Sequence, residues 1–389
     1  MSRGFCIAAL VIVLFQQPKL RADAVNPEIE KAKQLVTAGD LKEATSLLRR
    51  LISQEPDNPD VHLLLGTALA LLRQRSEALQ ELSRAIELRP QFAPAHYTLG
   101  VALSGFGELE AARKAFERAI ELDPKFADAH VNLAMILAHD GQFNRAIEHL
   151  SKAVQVLEPG PRAANAYYLK GKMYNEQKQL EQARHELDQA IRLQPGFAQA
   201  YYELGRTCDK LLDSSCAVHA LEKAAELMPG DGGVQYNLGV QYLRAGDGQR
   251  ALPHLQSANE AMPAERNILY NLALALQKTG REAEAKPLFA KVHEMLEGAN
   301  SPEAGKLNNE AVELEDRGEL RDALEKYRAA LELNPLNTTF RRNLGLVLCR
   351  LELWQQGVDE LQQVLRLDPN DVQATKALYI ALEHTSPRK

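Results

Sequence analysis

Prolines recur along this chain at a fixed spacing, and that spacing constrains the fold more than any other feature of the sequence. Wherever no proline of the series is skipped, successive members lie 34 residues apart: Pro56, Pro90, Pro124, Pro195, Pro229, Pro263, Pro335 and Pro369. A period of about 20 to 50 residues is typical of repeat proteins, in which each unit buries its apolar face against its neighbours. We therefore expect a linear array of repeated units rather than two or three globular domains.

Two positions of each unit hold small side chains. When each unit is counted from 31 residues before its proline, position 8 is Gly or Ala throughout, and position 20 is Ala in every unit but the last, which has Gly357. Position 24 is always large, as in Leu48, Phe116 and Tyr327. Small residues let two helices approach where larger ones would overpack, and the large residue fills the remaining space. The pattern predicts pairs of closely packed helices.

Each unit also encodes its own turn. Positions 4, 7, 8 and 11 fall on one stripe of a helix, and positions 20, 24 and 27 fall on one stripe of a second helix. Position 15, between the two helices, is often glycine: Gly39, Gly107, Gly141, Gly246, Gly280 and Gly318. Because glycine readily adopts positive φ, it ends the first helix. Every unit is thus predicted to be a helical hairpin.

These features resemble the tetratricopeptide repeat family over residues 25–371. The ten units are 25–58, 59–92, 93–126, 127–160, 164–197, 198–231, 232–265, 266–299, 304–337 and 338–371. The resemblance implies an all-α, right-handed α-solenoid whose first helices line a concave groove. Residues 372–389 are expected to form a capping helix and tail, with Lys376, Glu383 and His384 on the solvated side. Three units depart from the family by placing a charge at position 7, normally Leu: Lys31, Lys170 and Glu310.

The first 24 residues differ in composition from the rest. Arg3 precedes an apolar stretch over residues 4–15, and Ala22-Asp23-Ala24 ends the segment with small residues where a signal peptidase reads them. The apolar stretch is shorter than the roughly 20 residues that a transmembrane helix needs. We expect a signal peptide cleaved after Ala24, export to the periplasm or the exterior, and no membrane span after cleavage. An uncleaved anchor is the alternative.

Composition and motifs argue against catalysis and nucleic-acid binding. The formal net charge is -6 without a long basic run, so the sequence offers no platform for phosphates. None of the HExxH, CxxC, GxSxG or phosphate-loop patterns occurs in the sequence. His62, His96 and His130 occupy position 4 of successive units, where packing explains them better than a metal stripe. We expect no enzyme, no cofactor and no metal.

Tyrosine and asparagine recur on the predicted groove. Position 5 carries Tyr97, Tyr168, Tyr202, Tyr236 and Tyr270. Position 6 carries Asn132, Asn237, Asn271, Asn309 and Asn343. A primary amide has both donors and an acceptor, so it can pair with the backbone of an extended peptide.

This asparagine array resembles the one in the solenoid of O-linked N-acetylglucosamine transferase, where such residues hold peptide backbone. Only the array carries over, since no transferase domain is present. The predicted peptide-binding residues are Tyr168, Tyr202, Tyr236, Asn237, Tyr270, Asn271, Asn309 and Asn343. Alternatively, the asparagines are simply hydrated and the tyrosines pack on neighbouring units.

Two cysteines lie in the sixth unit, one on each predicted helix. Cys208 and Cys216 have the spacing with which exported members of the related Sel1-like repeat family staple their hairpins. Export would place them in an oxidising compartment. The alternative is that both are free, because Cys208 stands at a core position and free cysteines bury well. Cys349 is left without a partner in either case.

Two functions are consistent with this sequence. In the first, the groove binds a protein or peptide partner in the cell envelope or outside the cell. In the second, the chain is a structural component of a secretion, pilus or polymer-export assembly and contacts partners through its convex face or its ends. The sequence does not identify the partner.

Overall fold

The computed structural model describes residues 26–297 and 302–385, which contain helices, turns and no strand. The predicted signal peptide lies outside the described residues. The chain divides into two compact units, Met1–Pro195 and Gly196–Lys389. Within each compact unit, consecutive helices pack in pairs as helical hairpins, as predicted. None of the described helices is long and apolar enough to cross a bilayer.

The described part of the first compact unit, residues 26–195, contains five hairpins. Its helices are α1 Pro27–Ala38, α2 Leu41–Gln54, α3 Pro59–Leu71, α4 Arg75–Leu88, α5 Ala93–Gly105, α6 Leu109–Leu122, α7 Ala127–His139, α8 Phe143–Val156, α9 Pro161–Glu176 and α10 Leu180–Leu193. The first two hairpins gain N-caps from Asn26 and Asn58, whose side chains accept backbone N–H groups at the starts of α1 and α3.

The second compact unit contains five hairpins and a last helix. Its helices are α11 Ala198–Lys210, α12 Ser214–Leu227, α13 Gly232–Arg244, α14 Gly248–Ala261, α15 Arg266–Lys278, α16 Glu282–Glu297, α17 Pro302–Asp316, α18 Leu320–Leu333, α19 Thr338–Arg350, α20 Trp354–Leu367 and α21 Val372–Thr385. Hairpins six to ten therefore begin with α11, α13, α15, α17 and α19.

Position 15 adopts positive φ in all ten hairpins. The six glycines predicted to end the first helix do so, with φ between 73° at Gly141 and 88° at Gly39. The other four hairpins reach the same conformation without glycine, through Arg73, Lys178, Leu212 and Glu352. A side chain disfavours this region without forbidding it, so the turn is set by the packing of the hairpin as well as by the residue.

The predicted close approach of the two helices is confirmed. A Cβ added to Gly100 would lie 2.6 Å from the ring of Phe116, and one added to Gly66 would lie 2.7 Å from Leu82. Both contacts join position 8 to position 24 of the same hairpin. Alanine replaces glycine at position 8 of other hairpins and is fully buried there, as at Ala32 and Ala311. A larger residue at this position would displace its partner.

The charged residues at position 7 are paired across their hairpins. Lys170 lies 2.9 Å from Glu186, and both side chains are about one-tenth exposed. Lys326 on α18 donates to Glu310 at 2.6 Å, and Lys31 lies 3.8 Å from Glu43. Each departure from leucine at this position therefore has an opposite charge on the second helix of its own hairpin.

The terminal helix α21 is only partly polar on its outer side. Lys376, Glu383 and His384 were expected to keep this side solvated, and His384 stacks on Trp354 with ring centroids 3.9 Å apart. Val372, Tyr379 and Ile380 are each more than half exposed. The side of α21 that was predicted to be polar thus carries a group of large apolar side chains that nothing in the described chain covers.

Candidate interaction face

The asparagines at position 6 bond to the tyrosines at position 5 of the preceding hairpin. Asn237 Nδ2 donates to Tyr202 Oη at 3.1 Å, and Asn132 Nδ2 donates to Tyr97 Oη at 2.9 Å. The same nitrogen of Asn237 also donates to the carbonyl of Gly233 at 2.8 Å, one helical turn earlier. Both amide hydrogens are therefore used inside the protein, and Oδ1 is the atom of Asn237 that can accept from a ligand.

The pairing repeats once more along the second compact unit. Asn271 Nδ2 donates to Tyr236 Oη at 3.2 Å and to the carbonyl of Asn267 at 2.8 Å. Asn343 makes the corresponding bond to Asn308 Oδ1 at 3.1 Å, since Asn308 stands where other hairpins have tyrosine. The tyrosine and asparagine series, treated as independent in the sequence, form one network.

Burial keeps these phenols protonated. It raises the pKa of Tyr236 to about 12, with a smaller contribution from the charge of Glu332, and it also raises the pKa of Tyr202 and Tyr97. A protonated phenol that accepts from asparagine still has its O–H group to donate. The Tyr202–Asn237 and Tyr236–Asn271 pairs can therefore each offer one donor and one acceptor, whereas Tyr97 is buried.

Two of the half-buried tyrosines, Tyr168 and Tyr202, lie beside cations on their own helices. Lys172 Nζ is 5.6 Å from the ring centroid of Tyr168, and the guanidinium of Arg206 is 5.8 Å from that of Tyr202. Both cations stand four residues after the tyrosine, which places them on the same helix face. These distances allow a weak cation–π attraction.

Tyr270 and Asn309 do not continue this series of Tyr–Asn pairs. Tyr270 is 5% exposed, and the guanidinium of Arg341 lies 5.0 Å from its ring centroid. Asn309 is exposed, and its side chain makes no hydrogen bond to any described residue. Every other pair of successive helices described within residues 196–389 packs closely, but α16 and α17 do not. The regular stacking of hairpins is interrupted between the eighth and the ninth.

A cavity of about 150 Å³ lies in the second compact unit, between α13 and α15 on one side and α18, α19 and α20 on the other. Tyr236 and Asn271 line its first wall, and Glu332 and Glu360 line its second. Its volume would accommodate several water molecules. The predicted groove residues of hairpins seven and eight therefore face other helices of the same chain.

Charged residues cluster near this cavity. Arg244 Nη1 donates to Asp209 Oδ1 at 2.5 Å, and Arg328 lies 3.7 Å from the same carboxylate. Burial opposes ionisation of Asp209, but the two guanidinium groups outweigh it and hold its pKa well below the usual value. Burial and the charge of Arg244 lower the pKa of Arg328 to about 10. All three groups are charged at neutral pH.

The histidines at position 4 act as links within the fold. His62, His96 and His130 each place Nε2 2.9 to 3.0 Å from the carbonyl of the proline six residues earlier. A carbonyl only accepts, so each Nε2 must carry the proton and cannot bind a metal. Gln235 Nε2 makes the same bond to Pro229, which shows that the position needs a donor rather than an imidazole. No cluster of potential metal ligands occurs among the described residues.

The two cysteines of the sixth hairpin are placed for bonding. The Cα atoms of Cys208 and Cys216 are 5.7 Å apart, within the usual range for a disulfide, and their sulfur atoms lie at bonding distance. Cys208 is fully buried. Cys349 is a free thiol whose pKa is raised by burial.

Comparison with known families identifies the repeat. Tetratricopeptide repeat models match residues 35–103, 107–141, 126–196, 176–231, 232–257, 267–303 and 308–372. Together these matches cover most of the ten predicted hairpins. No curated protein matches the chain.

Solved structures with the same fold include three repeat proteins. The C-terminal part of a TPR repeat-containing protein from Cytophaga hutchinsonii has a TM-score of 0.52 at 16% identity, covering 63% of this chain and 99% of that one. YrrB, described as a TPR protein with an unusual peptide-binding site, scores 0.42 at 23% identity and covers 51% and 97%. MamA scores 0.40 at 26% identity and covers 43% and 91%. The first of these supports the solenoid fold.

Proposed function

Because this chain belongs to the tetratricopeptide repeat family, whose members are protein-interaction scaffolds, we propose that it binds a partner polypeptide along the first helices of its hairpins and catalyses no reaction. Positions 2, 5, 6, 9, 12 and 13 of these helices form what we call the first-helix face. Partner recognition uses this face rather than a single pocket.

The recurring Tyr–Asn pair is the observation that carries this proposal. Each pair keeps one phenolic O–H and one amide Oδ1 after its internal bonds are made, as at Tyr202 and Asn237. The pair at Tyr236 and Asn271 repeats the arrangement one hairpin later. The donor and acceptor that these two successive pairs offer match the alternating N–H and C=O groups of an extended peptide backbone. The tyrosine rings add apolar contact area.

Export is part of the proposal. The apolar stretch over residues 4–15, the small residues at Ala22 and Ala24, and the bonding distance between Cys208 and Cys216 all favour an oxidising compartment. Cell fractionation followed by N-terminal sequencing tests it. We expect the mature chain in the periplasmic or extracellular fraction, beginning at Val25. An intact Met1 in the cytoplasmic fraction would contradict export.

A second candidate is a structural role in an envelope assembly. The exposed apolar group on α21, which includes Val372, Tyr379 and Ile380, favours contact through the end of the chain. Affinity capture of the mature protein from its own envelope fraction separates the two roles. Loss of partner after Tyr379→Ser and Ile380→Ser supports the assembly role, whereas loss after Tyr202→Ser and Asn237→Ala supports the first-helix face.

A further inference from the structure

The first-helix face of hairpins six to eight is covered by the chain's own last hairpins. Arg266 Nη2 on α15 donates to the carbonyl of Glu332 on α18 at 2.9 Å, and Lys278 Nζ contacts Asp359 Oδ2 on α20 at 2.9 Å. Arg366 on α20 donates to Gln277 Oε1 at 2.7 Å. These contacts join residues 66 to 89 positions apart, far beyond the span of neighbouring hairpins.

Apolar and aromatic contacts accompany these bonds. Leu336, in the turn before α19, packs on the cluster of Leu269, Tyr270 and Val292 in the eighth hairpin. Leu212 of the sixth hairpin packs on the buried cluster of hairpins nine and ten. Arg341, itself almost fully buried, lies over the ring of Tyr270. Tyr270, one of the residues predicted to bind a peptide, is thereby removed from solvent.

The covered face and the covering helices carry charges of both signs, which pair across the interface at Lys278–Asp359 and at Asp209–Arg328. Arg244 and Lys278 project from α13 and α15, and Glu360 and Asp359 face them from α20 across the cavity. The carbonyl of Glu332 belongs to the last turn of α18, where unpaired carbonyls give a helix its negative end. Opposite charges therefore meet across the interface.

We propose that hairpins nine and ten close the first-helix face of hairpins six to eight, and that a partner gains access to that face only when they move away. The proposal rests on the proposed function, because closure matters only if the face binds a partner. The chain's own α20 then identifies the class of partner that the face accepts: a helical segment with carboxylates on the side that meets Arg244 and Lys278.

The closing contacts are suited to reversible release. The Lys278 and Asp359 side chains keep about a quarter of their surface exposed, and ion pairs of this kind contribute little each. The interface also borders the cavity of about 150 Å³, so it is less tightly packed than a hairpin interior. A partner that supplies equivalent contacts can therefore compete with the internal helices.

Zero-length carbodiimide cross-linking of the full chain tests closure without any substitution. A contact between an amine and a carboxylate becomes an amide, so we expect a link between Lys278 and Asp359 within the monomer. Lys326 and Glu310, 2.6 Å apart inside hairpin nine, give a matched control link that does not depend on closure. If the control link between Lys326 and Glu310 forms and the link between Lys278 and Asp359 does not, closure is overturned. A 278–359 link found only in dimers would assign the covering helices to a second copy and would also overturn it.

A fluorescent peptide with the sequence of residues 352–368, which includes α20, tests access and partner class. The double variant Asp359→Lys with Arg366→Glu removes the contacts of α20 with Lys278 and Gln277. It leaves the residues of the first-helix face unchanged. We expect the peptide to bind this variant at least about tenfold more tightly than the native chain, because an internal competitor reduces apparent affinity by the fraction closed. Adding Lys278→Glu to the variant should abolish the binding.

The remaining outcomes separate closure from function. If the peptide binds the native chain and the opened variant equally, hairpins nine and ten do not control access to the first-helix face, even if the link between Lys278 and Asp359 forms. Binding to neither would overturn the acidic helical partner. Capture of an envelope partner through Tyr202 in either of those cases would leave the proposed function standing.

Discussion

Asn271 donates from Nδ2 to the hydroxyl of Tyr236, 3.2 Å away, and so joins the first helices of two successive hairpins. Removing either side chain's polar group should lower the free energy of unfolding by about 1 kcal/mol, the usual net contribution of such a bond. In a double-mutant cycle measured by urea unfolding, Asn271→Ala with Tyr236→Phe should cost little more than Asn271→Ala alone, because that change already removes the shared bond. Fully additive losses would show that the two residues are not coupled.

The buried pair of Lys170 and Glu186 gives a prediction about the fifth hairpin. Lys170→Met leaves the Glu186 carboxylate buried without a counter-ion and should destabilise the protein by about 3 kcal/mol or more. Lys170→Met with Glu186→Leu should recover most of that loss, because the apolar pair restores the usual packing at position 7. Urea midpoints of the two variants provide the comparison. A double variant as unstable as the single one would contradict this account.

A feature of the fold could be predicted from the sequence when the residues that determine it lie within one repeat. The hairpins were predicted because their determinants lie within one unit, as in the contact of Gly100 with Phe116. The positive φ of Glu352 and Leu212 was not predicted, because neither residue favours it and only the packed hairpin imposes it. The bond from position 4 to the proline carbonyl was not predicted either, because it joins the helix to the turn before it.

The site was less predictable because its contacts join different hairpins. The constant separation of 35 residues between Tyr202 and Asn237, or Tyr236 and Asn271, was a signal in the sequence that could have revealed the pairing. The covering of Tyr270 by Arg341 had no such signal, since it depends on where hairpins nine and ten pack.

The two histidines of the fourth hairpin make stability depend on pH. His130 Nδ1 lies 2.9 Å from His149 Nδ1, and burial, followed by the charge of His130, lowers the pKa of His149 to about 4. Burial also lowers the pKa of His130. The unfolded chain, with histidine pKa values near 6.5, therefore binds more protons than the folded chain between about pH 6.5 and 4. Stability contributed by the neutral pair should be complete above about pH 6.5 and fall as the pH drops towards 4.

The variant His149→Gln isolates this contribution, because all other titrating groups remain in both proteins. The loss in urea midpoint between pH 7.5 and pH 5 should be smaller for His149→Gln than for the native chain. An equal loss in both would show that the pair does not titrate as described.

Alkylation of the mature chain tests the cysteine pair. Under denaturing conditions without reductant, intact mass should show one modified thiol, Cys349, whereas prior reduction should add Cys208 and Cys216. The Cys349→Ser variant is the control and should show no modification before reduction. Three modified thiols in the unreduced native chain would establish that Cys208 and Cys216 are free.

The central claim is that a partner polypeptide meets the first-helix face, and site-specific photo-cross-linking in the sixth hairpin tests it most directly. p-Benzoylphenylalanine replaces Tyr202 on α11 or, as a matched control, the exposed Leu227 at the end of α12, and the protein is irradiated in its own envelope fraction. We expect a polypeptide to be captured from position 202 and not from position 227. Capture from position 227 alone would contradict the account and favour a partner on the second-helix surface.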